Sequence, residues 1–158
     1  MKHIRLAQAG SDDKSYFWRL YQQAMRGHVE SQWGWDETWQ REDFAKRWQD
    51  NDNLLLVSGR LNLGYAQVSR GSDAVLYITM LIIAPQWRNK GIGRQVLVSL
   101  QRAYQAEEIT LRVFRCNQQA LQFYLNAGFS LSAEEPDFYL LRGRAEELQA
   151  AQPKVRRA

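Results

Sequence analysis

The sequence predicts an α/β fold with a mixed sheet, and three observations carry that reading. The apolar run Val75 to Ile83 feeds an amphipathic helix through the basic, glycine-bearing turn Arg88-Asn89-Lys90-Gly91-Ile92-Gly93. Ahead of it stand a short strand, two helical stretches and a hairpin. Behind it helix and strand alternate, an order that places helices against a sheet.

Taken in order, Ile4 to Ala9 reads as the first strand, and Ser11 or Asp12 caps a helix whose Tyr16, Phe17, Leu20, Tyr21 and Ala24 have helical spacing. Gly27 is expected to end it. A second helix starts near Asp36 and is expected to carry Trp39, Phe44 and Trp48 inward. Leu54 to Val57 and Leu63 to Val68 form a hairpin across Gly59 to Asn62. Val75 to Ile83, apolar except for Tyr77 and Thr79, reads as a strand buried on both faces until Ala84 and Pro85 end it. From Ile92, the residues Val96, Leu97, Leu100, Ala103 and Tyr104 make one helical stripe. A strand at Ile109 to Phe114, a helix at Asn117 to Asn126, and closing strands at Phe129 to Ser132 and Phe138 to Leu141 complete the order. After Gly143, the three-residue steps of Ala145, Leu148 and Ala151 permit a short helix in a charged tail.

The turn at Arg88 to Gly93 opens a helix, so its backbone N–H groups lack intrahelical partners and carry the positive end of the helix dipole. Glycines at 91 and 93 are expected to let a bulky anion approach the main chain. No Asp or Glu occurs from Ala74 to Ala106, whereas Arg88, Lys90, Arg94 and Arg102 lie within that span. A diphosphate would meet no local repulsion there. The plain alternative is a βα turn that uses glycine for tight packing. The spacing matches neither G-x-G-x-x-G nor the GK[ST] ending of a P-loop.

The 158 residues suit a single domain; 45% are apolar, with six Trp, seven Tyr and six Phe to build a core. No run reaches the ~18 apolar residues of a membrane span, and Met1-Lys2-His3 leads straight into a strand without a signal-peptide core, so a cytoplasmic protein is expected. The lone Cys116 excludes an intrachain disulfide and a cysteine-based zinc cluster. His3 and His28 have no metal-ligand spacing, and no metal is expected. A formal charge of +4 and pI near 9.4 point toward a nucleic-acid partner. That signal is weak, because Lys154, Arg156 and Arg157 sit in the last five residues and four more positive charges lie between Arg88 and Arg102, and removing either group takes the balance close to neutral.

The turn resembles the acyl-CoA motif [RQ]-x-x-G-x-[GA] of the GNAT superfamily of N-acetyltransferases, through Arg88, Gly91 and Gly93. A second block, Leu111-Arg112-Val113, Asn117, Ala120, Phe123, Tyr124 and Gly128-Phe129, resembles the family pattern L-x-V-x-x-x-N-x-x-A-x-x-F-Y-x-x-x-G-F at the expected distance. The resemblance implies a GNAT (acyl-CoA N-acyltransferase) domain over residues 1–142, with the tail at 143–158. It also implies a mostly antiparallel mixed sheet whose central parallel strands splay apart. Acetyl-CoA, the implied co-substrate, would meet Arg88, Asn89, Lys90, Gly91, Ile92, Gly93 and Arg94 at its pyrophosphate. Main chain of Leu81, Ile82 and Ile83 would pair with its pantetheine arm, and one N–H would polarise the thioester carbonyl. Asn117 would cap its helix and face the arm.

Tyr124 occupies the position where relatives place a phenol near the CoA sulfur, able to protonate the leaving thiolate. Its helical spacing with Ala120, Phe123 and Ala127 also suits an ordinary core aromatic. The carboxylate that many relatives carry on the cofactor strand is missing, since Tyr77 and Thr79 occupy that neighbourhood. The base then comes from another segment or from a water chain. Trp33, Trp35, Asp36 and Glu37, between the first two helices, combine aromatic faces with carboxylates suited to a cationic amine. Against that, Asp36 is a good N-cap and Glu37 suits a first helical turn.

The resemblance thus implies direct transfer of an acetyl group from acetyl-CoA to a primary amine in a ternary complex. The acceptor would be a small molecule or a peptide. Alternatives are acetylation of a macromolecular amine, such as a protein lysine, an N-terminus or a charged tRNA, and a non-catalytic acyl-CoA-binding module. No membrane partner is expected, and nucleic acid only as charged tRNA. The tail either docks on a second subunit in a homodimer or frays.

Overall fold

A computed structural model describes residues 3–150 of the chain. Strand β1 (Arg5–Gln8) leads through a 3₁₀ turn at Ser11–Asp13 into α1 (Lys14–Gln32) and α2 (Glu37–Asp50). Strands β2 (Asp52–Ser58), β3 (Leu61–Arg70) and β4 (Val75–Ile83) follow, then α3 (Ile92–Ala103), β5 (Glu108–Phe114) and α4 (Gln118–Asn126). Strands β6 (Ser130–Glu134) and β7 (Phe138–Arg144) run into the short helix α5 (Ala145–Ala150). Tail residues 151–158, with Ala151, Lys154, Arg156 and Arg157, lie outside the described residues.

The seven strands form one sheet in the order β1-β2-β3-β4-β5-β7-β6. Every neighbouring pair is antiparallel except β4 and β5, which run parallel. Helices cover both faces. On one, α3 and α4 bury Ile92, Val96, Leu97, Leu100 and Tyr124 against β3, β4 and β5. On the other, α1 and α2 bury Phe17, Leu20, Tyr21 and Phe44 against Tyr65 and Ile82.

A bulge in β4 decides which of its residues faces which layer. Val68 pairs with Ile78 and Gln67 with Met80, so Thr79 is the extra residue. Alternation along a strand fixes side-chain direction, and one inserted residue inverts it. Leu76 and Ile78 accordingly join the α3/α4 layer, while Met80 and Ile82 join the α1/α2 layer. The strand is half-buried from Thr79 to Leu81, rather than buried throughout, because a cleft opens there.

Three local expectations are corrected by the packing. Helix α1 does not stop at Gly27 but continues to Gln32, burying Val29. Its stop is Gly34, in the left-handed region (φ 80), whose N–H reaches the carbonyl of Glu30 at 3.1 Å. That is the C-terminal role glycine fills best. In α2, Trp39 points outward, 48% exposed, and Gln40 takes the inward place. Gln40 lies four residues before Phe44 and so shares its face, and it accepts a 2.6 Å hydrogen bond from the Tyr21 hydroxyl. The β2–β3 turn is shorter than expected, Gly59 and Arg60 alone, with Gly59 at φ 59.

Candidate active site

The parallel ladder between β4 and β5 is only three pairs long: Val75 with Glu108, Leu76 with Ile109 and Tyr77 with Thr110. Past the bulge the strands separate, so the edge of β4 from Ile78 to Ile83 has no strand partner on that side. Peptide groups along it point into a V-shaped cleft. Its other edge stays tight against β3. A Cβ on Gly64 would stand 2.0 Å from the carbonyl oxygen of Ile82, so only glycine fits opposite this part of β4.

At the end of the cleft the chain turns into α3 with Asn89 at φ 61 and Gly91 at φ 76. The first helical hydrogen bond of α3 runs from Gln95 N–H to the Gly91 carbonyl at 3.3 Å. The N–H groups of Gly91, Ile92 and Gly93 precede it and face the turn with the helix dipole behind them. Arg88 folds back, its Nε donating to the Ile83 carbonyl at 2.9 Å, and thereby ties the turn to the end of β4. Arg94 Nη2 donates to the Asn126 carbonyl at 3.1 Å, tying α3 to α4. Lys90 is exposed beside the turn. The two glycines do different things: no atom lies within 4 Å of a Cβ added at Gly91, whereas one at Gly93 would meet Phe123. At 93 the missing side chain makes room for the Phe123 ring.

Two cavities share this cleft. One, of about 400 Å³, runs along Leu81, Ile82 and Ile83 to Arg88, Asn89, Gly91, Ile92, Gly93 and Arg94. The other, of about 450 Å³, runs from Thr79 toward Trp33, Phe114 and Phe138. Both include Met25, Leu81, Asn117, Ala120 and Tyr124, so Tyr124 stands where they meet. Asn117 caps α4, its Oδ1 accepting from the Ala120 N–H at 3.1 Å. Tyr124 is buried, its hydroxyl has no hydrogen-bond partner among the described residues, and burial raises its pKa above the ordinary phenol value. It therefore keeps its proton at neutral pH.

The second cavity differs from the expected acidic, aromatic site. Trp33 lines it, edge-on to Phe114 (5.0 Å) and Phe138 (5.7 Å), and its Nε1 donates to Asp137 at 3.0 Å. Trp35 turns back to pack on Trp18 and Tyr21. Asp36 caps α2, accepting from the Trp39 N–H at 3.0 Å, and borders a separate hollow with Gly34 and Gln40. Glu37 is exposed and held by Trp35 Nε1 (2.7 Å) and Arg41 (3.0 Å); the Trp35 hydrogen bond, then Arg41, keeps its carboxyl below the usual range. Neither Trp35, Asp36 nor Glu37 lines either half of the cleft.

The charged lining is instead Asp43, Arg47 and Arg112, which the sequence reading passed over. Arg47 is paired with Asp43 at 2.5 Å and lies over the Tyr21 ring, 4.4 Å from its centre. Arg112 lies over Phe138 at 4.1 Å. Tyr77 joins the same wall; its phenol pKa is raised chiefly by burial, with Arg112 lowering and Glu135 raising it less. The spacing of Asp43 and Arg47 marks a helical ion pair. A lone charge in the strand Leu111-Arg112-Val113 was the other available signal. At the bulge Thr79 donates to Asn51 Oδ1 at 2.7 Å. His28 borders the first cavity and is not isolated: the Cys116 thiol donates to its carbonyl at 3.6 Å, and burial lowers its imidazole pKa. No group of three His, Cys, Asp or Glu side chains suited to a metal ion occurs among the described residues, and no described helix is long and apolar enough to cross a membrane.

Comparison with known proteins gives a consistent picture. The sequence model of the acetyltransferase (GNAT) family matches residues 15–129. Among solved structures, the PaiA N-acetyltransferase of Thermoplasma acidophilum in complex with coenzyme A superposes with a TM-score of 0.73 at 17% identity, over 90% of this chain and 99% of that one. Spermidine N-acetyltransferase of Vibrio cholerae, in complex with CoA and spermine, gives 0.68 at 15% identity, over 94% and 99%. The ribosomal-protein-S18-alanine N-acetyltransferase of Escherichia coli gives 0.67 at 15% identity, over 90% and 94%. At these identities the likeness is one of fold.

Proposed function

This chain belongs to the acetyltransferase (GNAT) family, and from that premise we propose that it moves an acetyl group from acetyl-CoA directly to a primary amine, with both substrates bound at once. The observation that carries the reading is the meeting of two cavities at Leu81, Asn117 and Tyr124. One has the basic, dipole-backed turn a pyrophosphate needs, and the other is open to an acceptor.

Acetyl-CoA supplies the acetyl group as a thioester. The N–H groups of Gly91, Ile92 and Gly93, with Lys90 beside them, would hold its diphosphate, where no carboxylate competes. The unpaired edge of β4 at Leu81 to Ile83 would pair with the amides of the pantetheine arm. An N–H there would donate to the thioester oxygen as negative charge develops on it, an effect worth about 3 kcal/mol in comparable sites. A backbone donor held by the β3 ladder needs no reorganisation.

The amine in the second cavity attacks the carbonyl carbon, and the carbon–sulfur bond breaks toward Tyr124. A phenol is a weaker acid than a thiol, about 10 against about 8.5, and burial weakens Tyr124 further. Tyr124 therefore donates a hydrogen bond to the departing thiolate; the ammonium gives up one proton before it attacks, and the second, lost as the amide forms, ends on the thiolate. The first proton leaves through water in the open cleft, since Asp43, the sole carboxylate among the lining residues, is held by Arg47. Cys116 lines neither cavity, which favours direct attack over an acyl-enzyme.

The test is thiol release from acetyl-CoA across amino acids, polyamines, aminoglycosides, lysine peptides and aminoacyl-tRNA. Turnover with any class establishes the enzyme. CoA binding without turnover across the panel would instead leave a binding module.

A further inference from the structure

The acceptor half of the cleft has an unbalanced charge pattern that selects among amines. Of its three charged lining residues, two are arginines. The one carboxylate, Asp43, is already spent on Arg47 Nη1. The Nε and Nη2 of Arg47 are buried without a well-formed hydrogen bond among the described residues, but Arg47 sits against Tyr21 and offsets part of the rise that burial gives the Tyr21 phenol pKa. Arg112 is exposed and makes no ion pair among the described residues; its guanidinium rests on the Phe138 ring. Glu135, close enough to influence Tyr77, is not part of the lining, and Asp137 is engaged by Trp33 and Gln32.

We propose that the acceptor is a small amino carboxylic acid with an aromatic or apolar body, its carboxylate held by Arg112 and its body against Trp33, Phe114 and Phe138. The inference rests on the acetyl-transfer reading above. A guanidinium presents a planar fork of donors that fits a carboxylate with two parallel hydrogen bonds, and stacking on Phe138 fixes the plane of that fork in advance. Arg47 and Asp43 neutralise one another, so the net charge of the lining is that of Arg112, and an anion beside it balances the cleft. A polyamine would meet the opposite arrangement: the uncompensated cation Arg112, and a carboxylate already neutralised by Arg47. The aromatic walls supply the apolar contact that a zwitterion with a bare side chain could not use.

The experiment compares each acid with its own amide: phenylalanine with phenylalaninamide, leucine with leucinamide, and spermidine as the polycation. Turnover is measured by thiol release, and binding to the CoA-saturated protein by calorimetry. The amide's amine is the less protonated of each pair, so intrinsic reactivity runs against the expected order. The acid should still be preferred by at least about tenfold in kcat/KM, the scale of a lost charge-assisted pair. In Arg112→Gln the preference should fall to within about twofold of unity, and Arg112→Lys, which keeps the charge and loses the fork, should fall between. Turnover with no acid preference, a preference untouched by Arg112→Gln, or spermidine as the best acceptor overturns the carboxylate inference and leaves acetyl transfer standing. Acid-selective binding with no turnover of any amine does the reverse. Neither binding nor turnover overturns both.

Discussion

The ring of Phe123 fills the space where a side chain at residue 93 would be. A Cβ on Gly93 would lie 2.7 Å from Phe123 Cζ, and this contact locks α3 to α4 directly behind the turn that opens α3. Gly91, two residues earlier, has open space around it and is constrained by its left-handed backbone instead. Gly93→Ala should therefore cost about 1–3 kcal/mol through overpacking and be partly restored by Phe123→Leu. Gly91→Ala should cost about 1 kcal/mol, with no relief from the Phe123 change. Urea unfolding of the four variants decides it: equal rescue of both glycines would show that the two positions do not differ in this way.

How much of this was legible beforehand depends on the range of the forces involved. Val75–Ile83 and the Ile92 stripe were readable because strand and helix periods are local. Gly27 as a stop was not, because the choice between Gly27 and Gly34 is made by the burial of Val29. Both motif glycines looked alike in sequence, and only the α3–α4 packing separates their reasons. The wall of the second cavity was the least legible part. Arg47 comes from α2 and Arg112 from β5, and no local pattern says that the splay of β4 from β5 turns both toward one cavity. The acids at 36 and 37 were conspicuous in sequence because they open a helix, and the helix uses them there.

Tyr124→Phe should lower kcat by about ten- to a hundredfold while acetyl-CoA affinity stays within about twofold. The phenol has no hydrogen-bond partner to lose among the described residues, so the melting temperature should hold or rise slightly. The raised pKa adds a second readout. Tyr124 stays protonated up to at least pH ~10, so any alkaline fall in kcat below that pH must survive in the Phe variant. Unchanged kcat in Tyr124→Phe would remove the residue from the chemistry.

Alkaline stability follows from the same direction of shift. Burial raises the phenols of Tyr65 and Tyr124, and burial followed by the Asp52 hydrogen bond raises that of Tyr104. The unfolded chain releases these protons near pH ~10 while the folded chain holds them, so above that pH the folded state binds more protons. Stability contributed by these groups is intact below pH ~10 and is lost as pH rises toward the folded values. Thermal unfolding between pH 8 and 11 should show a steep fall beginning near 10. Tyr65→Phe should soften it and, because the Tyr65 hydroxyl is buried without a partner, should be neutral or stabilising by about 1 kcal/mol at pH 7. Its stacking on Phe17, 4.1 Å between ring centres, is retained by phenylalanine. A loss of more than about 1 kcal/mol would mean that the hydroxyl has a partner in solution.

Asp36 and Glu37 separate a capping role from an acceptor role. Asp36 accepts the Trp39 N–H at the first turn of α2, and removing such a cap costs about 1 kcal/mol. Asp36→Ala should therefore lower stability by that amount, and Asp36→Asn, still an acceptor, should recover most of it. Glu37 is exposed, and its ties to Trp35 and Arg41 are surface contacts, so Glu37→Gln should change stability only slightly. Since neither side chain lines the cleft, the acceptor KM should stay within about twofold of wild type in all three variants, whereas Asp43→Asn, which frees Arg47, should alter it by more than that. A selective rise in acceptor KM for Glu37→Gln at unchanged stability would place that carboxylate at the substrate after all, by a movement of the α1–α2 corner on binding.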